Sequence, residues 1–223
     1  MDELTHISQW IFTIGGLKIV LNSATLIHTW LIMGVLILFG LLAGRRTKFL
    51  PNPLQSIAEL LVTTFDNLVK DATELDDRRY FPLICGLFLF LLLSNIWGII
   101  PTFVEPTRDL NTPLGLGILG FVVAHYTGIK FKGLKGYLSM YFEPIAFMLP
   151  LNIISELAKV VSISFRLYGN IIGGSIIIIV VSSLVYSLVL PPLLNGFFGL
   201  FVGAIQAFVF TMLTLVYISY QMK

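Results

Sequence analysis

Polar side chains recur along one side of a long apolar segment at residues 145–190. Their steps of three or four residues would place them on a single helical face: Asn152, Ser155, Lys159, Ser162, Arg166 and Asn170. In a membrane this face cannot turn to lipid, because an arginine at bilayer depth costs at least about 2.5 to 3.5 kcal/mol. The face is therefore predicted to meet protein, water or an ionised partner.

Arg166 is the residue on which this prediction depends. It lies about twenty residues from each end of the segment, too deep for easy snorkelling to an interface. The structural alternative is that Arg166 snorkels or pairs with Glu156. Glu156 and Lys159 are three residues apart, so they either neutralise each other or line an aqueous path. Ser155 alone indicates little, since helix serines often bond to the backbone.

Glycines follow the arginine and return in the last apolar segment. They would allow another backbone or a moving surface to approach closely: Gly169, Gly173, Gly174, Gly199 and Gly203. Such glycines are more often packing seams than chemical sites. Gln206 lies on nearly the same face and needs hydrogen-bond partners in hydrocarbon, for which Asn170 is the expected candidate. We expect a helical hairpin with a polar seam bearing Arg166.

Chemistry on a bound substrate is not indicated. The three histidines, His6, His28 and His125, lack metal-ligand spacing, and the sequence has no zinc-protease, nucleophile-elbow or phosphate-loop motif. We therefore expect no catalytic site, no cofactor and no metal. Cys85 is the single cysteine and cannot form an intrachain disulfide, and a net charge of +2 is too small to indicate nucleic acid.

Composition defines the elements that must position these residues. Hydrophobic residues make up 57% of the 223 and charged residues 12%, and the mean hydropathy is +0.92. A bilayer offers no water to unpaired backbone groups, so long apolar stretches in which polar and apolar residues do not alternate as in a strand must be helical. We predict an all-α, polytopic membrane protein in a single integral domain, residues 1–223.

About five membrane-embedded helical segments are predicted. Their bounds are 23–43, 81–100, 112–128, 145–190 and 197–220. The fourth is longer than a perpendicular helix needs, so it must tilt, bend or break, and it forms a long tilted hairpin with the fifth. A turn between these two segments is predicted at Pro191, Pro192, Asn195 and Gly196.

Two further stretches stand outside these spans. Residues 53–76, introduced by Asn52 and Pro53, have the pattern of an amphipathic helix on the cytoplasmic interface. Residues 7–20 are apolar but short, and they either lie flat or merge with the first span. The N-terminal MDELTHISQW lacks the features of a signal peptide, so we expect the first apolar segment to be retained.

Basic residues next to the spans predict the orientation. They gather after the first span, before the second and after the third: Arg45, Arg46 and Lys48, then Arg78 and Arg79, then Lys130, Lys132 and Lys135. Those sites should face the cytoplasm. The N-terminus and the loop with Glu105, Arg108 and Asp109 should then lie outside the cell membrane, and the C-terminus, ending in Lys223, inside.

Two blocks of the sequence resemble subunit a of bacterial F-type ATP synthases. They are PLNIISELAKVVSISFRLYGNIIGG, which contains Arg166, and GAIQAFVFTMLTLVYIS near the C-terminus. FRLYGN is similar to the arginine motif of that family, and IQAF with LTLVYIS is similar to its closing helix. The PTRDLNT loop and the KGLKGY stretch extend the likeness from about residue 81 to the end.

The resemblance implies a stator channel beside a rotating ring of small hairpin c subunits, each with a carboxylate that carries a proton or a sodium ion. Arg166 would keep the passing carboxylate ionised and block direct passage between two offset half-channels. The implied partners are this c-ring, the b subunits of the peripheral stalk, the F1 head and membrane lipid, with no nucleic acid.

The resemblance also assigns residues to the two half-channels. Asn170 and Gln206 would line the outer one, with Glu156 and Ser155 nearer the inner exit. Lys159 and Ser175 are further candidates for ion translocation. The sequence departs from a common family pattern at two positions: Ser175 stands where many members have an acid, and Gly199 where some have a histidine or an acid. The outer relay must therefore use water or other residues.

Two other classes of function remain as alternatives. A stand-alone secondary transporter would bind its substrate at a broken helix around residues 169–174, although no paired repeats are found. A non-transporting assembly scaffold would leave the intramembrane polar face as an unexplained cost.

Overall fold

A computed structural model describes residues 9–14, 17–44, 53–74, 78–100, 103–142, 149–184 and 190–222. Several residues used in the predictions lie outside the described part of the chain: Arg45, Arg46, Lys48, Asn52, Lys223 and the stretches 143–148 and 185–189.

Seven α-helices make up most of the described residues. They are α1 (Ser23–Gly44), α2 (Pro53–Thr73), α3 (Phe81–Ile96), α4 (Asn111–Phe142), α5 (Leu149–Leu184), α6 (Leu190–Gly196) and α7 (Gly203–Met222). Short 3-10 turns occupy Trp97–Ile99 and Pro106–Arg108, and a π-helical stretch, Phe197–Val202, joins α6 to α7. Among the residues that the structure describes, five helical segments are long and apolar enough to cross a membrane, which confirms the polytopic helical class.

The start of the chain differs from expectation. Two antiparallel strands, Gln9–Ile14 and Leu17–Asn22, pair so that Gln9 lies opposite Asn22. The stretch at 7–20 was expected to lie flat or to merge with the first span. Instead, its described residues form a hairpin whose backbone groups bond to each other, and α1 begins directly after it at Ser23.

Helix α7 lies at the centre of the bundle and packs against α2, α3, α4 and α5. Near its C-terminal end, Leu215 and Ile218 join a buried cluster with Phe65 of α2 and Ile84 of α3. Nearer its N-terminal end, Ala207 and Phe210 join a second buried cluster with residues of α3 and α5. The hairpin partner α5 is thus held on the bundle along one side.

Helix α4 extends beyond the predicted end at residue 128. It continues through Lys130 and Lys132 to Gly133, whose φ of 73° breaks the helical path before a final helical piece ending at Phe142. Lysines are good helix formers, so a basic run need not end a helix. Only glycine adopts this backbone conformation without strain.

The turn predicted at Pro191, Pro192, Asn195 and Gly196 is wrong. These residues lie in helix α6, which begins at Leu190. Prolines are tolerated in the first turn of a helix, because the N–H groups there have no intrahelical partner. With the π-helical stretch and α7, the last helical segment runs from Leu190 to Met222.

Helix α2 is amphipathic, as its residue pattern predicts, and ends at Thr73 rather than at residue 76. Phe65 and Val69 are buried, whereas Ile57, nearer the start of the helix, is 54% exposed. The buried Asp66 carboxylate accepts a bond from Arg78 at 3.0 Å and lies 3.4 Å from Lys70. Helix α2 therefore packs on the core of the bundle with its apolar residues from Leu61 onward.

Candidate functional site

Arg166 lies at the middle of α5, on a face that the other described residues do not cover. Arg166 and Ser162 are both exposed. The other side of the helix packs on the bundle: Ile163 and Leu167 are 5% and 1% exposed, and the Ser164 hydroxyl donates to the Pro113 carbonyl at 3.1 Å. The helix is therefore oriented by its apolar side, and Arg166 points away from its own bundle.

Within the described part of the chain, no residue forms a hydrogen bond or salt bridge with the Arg166 guanidinium. Glu156, its suggested structural partner, is ten residues away, or about 15 Å along a helix axis. Glu156 instead accepts a bond of 2.6 Å from Lys159, its neighbour one turn along. Glu156 is thus paired with Lys159, and the hypothesis that Glu156 pairs with Arg166 is wrong.

The Glu156–Lys159 pair belongs to a group that we call the tyrosine cluster, formed with Tyr217 and Tyr220 near the C-terminal end of α7. The Lys159 ammonium lies 5.6 Å from the ring centre of Tyr217 and 5.4 Å from that of Tyr220. These distances are typical of cation–π contacts. His125 of α4 lies within electrostatic range of both Glu156 and Lys159. The sequence gave no signal that His125 lies near this pair.

A second polar group lies on the other side of Arg166, where α5 meets the π-helical stretch. We call it the amide cleft, after its polar lining: Asn95, Asn170, Asn195, Gln206, Ser175 and Glu105. Its volume is about 30 Å³. At roughly 10 to 15 Å³ for one water, the cleft has room for about two to three water molecules.

Asn95 holds the wall of the amide cleft in place. Its side-chain N–H donates to the Gly203 carbonyl at 2.8 Å, and its carbonyl oxygen accepts a bond of 2.9 Å from Thr107. Asn95 and Thr107 are 2% and 0% exposed, so the network joins α3, the 103–109 loop and α7 in a buried place. Buried polar groups need such partners.

The predicted glycines divide into two groups. A Cβ on Gly199 or Gly203 would lie 2.7 Å from Ile99 or 2.9 Å from Asn95, and one on Gly174 would lie 3.0 Å from the Phe198 ring. These three allow close packing within the chain. A Cβ on Gly169 or Gly173 would meet nothing within 4 Å. Those two leave open space on the side of α5 that carries Arg166.

The structure brings some of the predicted site residues together and separates others. Asn170, Gln206 and Ser175 line the amide cleft, and the Ser175 hydroxyl donates to the Ile171 carbonyl at 3.0 Å. Among the described residues no direct hydrogen bond joins Asn170 to Gln206, although they share the cleft. Ser155 is exposed on the same side of α5 as Arg166.

Sequence reasoning missed three residues of the cleft. Asn95 carried a usable signal, since an amide inside the apolar run LFLFLLLSNIWGII needs a partner in a membrane. Asn195 was assigned to a turn, and Glu105 was assigned only to a polar loop. Their places in the cleft depend on tertiary contacts that no local pattern indicates.

These features define a polytopic helical membrane protein with a central, exposed arginine between two polar groups. A profile of the ATP synthase A chain family matches residues 26–219. The chain is 36% identical to ATP synthase subunit a of Moorella thermoacetica over 218 residues, 97% of each chain. It is 38% identical to ATP synthase subunit a 2 of Syntrophotalea carbinolica, over 86% of this chain and 82% of that one.

The chain therefore belongs to the ATP synthase A chain family. It is a multi-pass membrane protein, and membership in this family does not favour a stand-alone transporter.

Proposed function

We propose that this chain is the ion-translocating stator subunit of the membrane sector of an F-type ATP synthase. It lies in the cell membrane with its N-terminus outside and its C-terminus in the cytoplasm, as the basic residues next to its spans indicate. It performs no covalent chemistry. It couples the flow of protons or sodium ions to the rotation of a c-ring, and thereby to ATP synthesis in the F1 head.

One observation carries this proposal: two polar groups lie on opposite sides of Arg166 along α5. The tyrosine cluster includes Lys159, and the amide cleft includes Asn170. Eleven residues of helix separate these two, which is about 16 Å along the axis and about half the thickness of the hydrocarbon core. Each group thus reaches toward one side of the membrane, and neither crosses it.

In this account the amide cleft is the outer half-channel and the tyrosine cluster is the inner one. The cleft lies beside the 103–109 loop and the start of the last helical segment, both of which belong outside in this orientation. The tyrosine cluster lies near the C-terminal end of α7, which belongs inside. An ion that enters one half-channel must leave the chain before it can reach the other.

Arg166 handles that transfer through its charge. Its guanidinium is exposed and has no partner among the described residues, so a carboxylate on a neighbouring ring can approach it. An opposite charge within about 4 to 6 Å lowers the pKa of a carboxyl by about 1 to 3 units. A ring carboxylate therefore releases its ion as it passes Arg166. A fixed positive charge also repels a cation that would cross directly.

The surface around Arg166 suits a moving partner. Gly169 and Gly173 lie beside it and present no side chain, so a ring helix can pass close to the α5 backbone. The b subunits and the F1 head are further partners that follow from the proposed role. Their contacts would lie on other faces of the chain.

The test is ATP-driven ion uptake into inverted membrane vesicles that carry Arg166→Ala. Loss of the guanidinium should let the pKa of the ring carboxyl rise by about 1 to 3 units and reduce uptake at least about tenfold. Arg79→Ala, which removes an exposed arginine outside the apolar spans, is the matched control and should pump normally. Assembly is measured on the same membranes, and normal uptake by assembled Arg166→Ala complexes would refute the proposal.

A further inference from the structure

The 103–109 loop brings a carboxylate into the amide cleft. Glu105 precedes the short 3-10 turn Pro106–Arg108, and its side chain lines the cleft together with Asn170 and Gln206. No other acidic residue lines this cleft among the described residues. The loop thus supplies a titratable group to a place whose other polar lining residues are uncharged.

Gly98 makes room for this carboxylate. A Cβ on Gly98 would collide with the Glu105 side chain, and the carboxyl carbon and Oε1 would be among the nearest atoms. The carboxylate therefore folds across the bare backbone at the end of α3. An alanine at position 98 would force Glu105 to leave this place, because atoms cannot approach that closely.

The loop that carries Glu105 is fixed rather than loose. Thr107, two residues further on, is fully buried, and its hydroxyl donates to Asn95 at 2.9 Å. Arg108 turns outward and is exposed. Glu105 and the cleft are therefore held in one geometry by the Asn95 network.

The cleft changes the acidity of Glu105. Burial raises the pKa of the Glu105 carboxyl, while its own backbone N–H and the charge of Arg108 act in the opposite direction. Among the described residues it forms no salt bridge with a lysine or arginine. A carboxyl whose pKa is raised toward neutral pH gives up and takes back a proton more readily under working conditions.

The two positions at which the family resemblance led us to expect an acid or a histidine, Ser175 and Gly199, line this same cleft. We infer that Glu105 is the relay carboxylate of the outer half-channel and takes over the task of the acid that is missing at those positions. This inference rests on the proposed function, and it assigns a residue that the sequence left without a role.

A proton that enters from outside moves to the ring in two steps. A hydronium ion of the outer water gives a proton to the Glu105 carboxylate and becomes a water molecule, and Glu105 becomes a neutral carboxyl. It then donates that proton, through water in the cleft, to a ring carboxylate that Arg166 has kept ionised. Glu105 returns to its charged form and the ring carboxyl becomes neutral.

The test compares four variants by ATP-driven proton uptake per assembled complex: Glu105→Gln, Glu105→Asp, Gly98→Ala and Glu105→Gln combined with Ser175→Glu. Glu105→Gln should lose uptake at least about tenfold, as expected for removal of a group that transfers protons. Glu105→Asp should retain part of the activity, and Gly98→Ala should resemble Glu105→Gln. The double variant should recover, because Ser175→Glu returns a carboxyl to the same cleft.

Asp109→Asn is the matched control. Asp109 is an acid four residues along the same loop, but it accepts bonds from Thr25 and Asn111 and does not line the amide cleft. An asparagine keeps an oxygen in that place, so this variant should pump normally.

Three results would overturn the inference. One is uptake by Glu105→Gln equal to that of Asp109→Asn. Another is a loss in Glu105→Gln that Ser175→Glu does not restore, which would make Glu105 structural. The third is a Glu105→Gln complex that does not assemble and a double variant that does not assemble either. Arg166→Ala is measured in parallel: if it abolishes uptake while Glu105→Gln does not, only the role of Glu105 fails and the proposed function stands.

Discussion

The tyrosine cluster and the amide cleft lie on opposite sides of Arg166, and they hold their charged groups differently. In the tyrosine cluster, Glu156 is paired at 2.6 Å with Lys159 from the same helix. In the amide cleft, Glu105 comes from a separate loop and has no salt-bridge partner among the described residues. The first charge is neutralised locally, whereas the second depends on the tertiary fold.

The tyrosine cluster and the amide cleft should differ in how easily they are disrupted. Residues three apart on one helix stay together as long as the helix forms. A carboxylate from a loop stays in place only while α3, the loop and α7 keep their relative positions. The amide cleft should therefore be the more fragile of the two regions.

Gly203→Ala disrupts the amide cleft directly and should have a larger effect than any change to the Glu156–Lys159 pair. The added Cβ would lie 2.9 Å from the Asn95 Cβ, so the network that holds the 103–109 loop must shift. Overpacking of this kind costs about 1 to 3 kcal/mol. We expect a lower midpoint for thermal unfolding and reduced ion uptake.

The matched control is Gly34→Ala in α1, where a Cβ would meet nothing within 4 Å. Its unfolding midpoint should not fall, since alanine is the better helix former. Equal stability of the two variants would mean that the Asn95 network does not depend on close packing at position 203.

A double-mutant cycle on Glu156 and Lys159 should give a smaller effect. The side chains are 16% and 31% exposed, between the surface and the buried cases, so we expect a coupling of about 1 kcal/mol. Glu156→Gln, Lys159→Met and the double variant are compared by unfolding in mixed micelles. A coupling near zero would mean that the two charges are solvated separately within the inner half-channel and do not neutralise each other.

The pH dependence of stability should give the smallest effect. Burial raises the pKa of the Glu105 carboxyl in the folded protein. The protonated carboxyl therefore contributes to folding stability in full below the ordinary glutamate pKa of about 4.3, and this contribution is lost as the pH rises through the raised pKa. Relative to Glu105→Gln, the native chain should lose stability over that rise. A difference between the two chains that stays constant with pH would show that the cleft does not desolvate the carboxyl.

Local patterns predict much of this molecule. Long apolar runs give the helices, and steps of three or four residues give the face that carries Lys159, Arg166 and Asn170. The Glu156–Lys159 pair is also local, and the sequence could indicate it. Prolines predicted helix boundaries less well, because Pro191 and Pro192 lie in the first turn of helix α6 and not in a turn before a helix.

The amide cleft shows where prediction from sequence stops. Asn95 and Glu105 lie about a hundred residues before Gln206, and only the packing of α3 and its following loop against the last helical segment brings them together. The hairpin at Gln9–Asn22 was missed for a different reason. Its two runs are separated by Gly15 and Gly16, and a Gly-Gly pair between two such runs is a local signal for a hairpin.

The central claim is that Arg166 separates two half-channels, so that ions cross only when the ring rotates. It is tested most directly by measuring, on the same vesicles, ATP-driven uptake and passive ion conductance after removal of the F1 head. For assembled Arg166→Ala complexes we predict that driven uptake is lost while passive conductance persists or rises. Driven uptake at the level of the native complex, with unchanged conductance, would contradict the account.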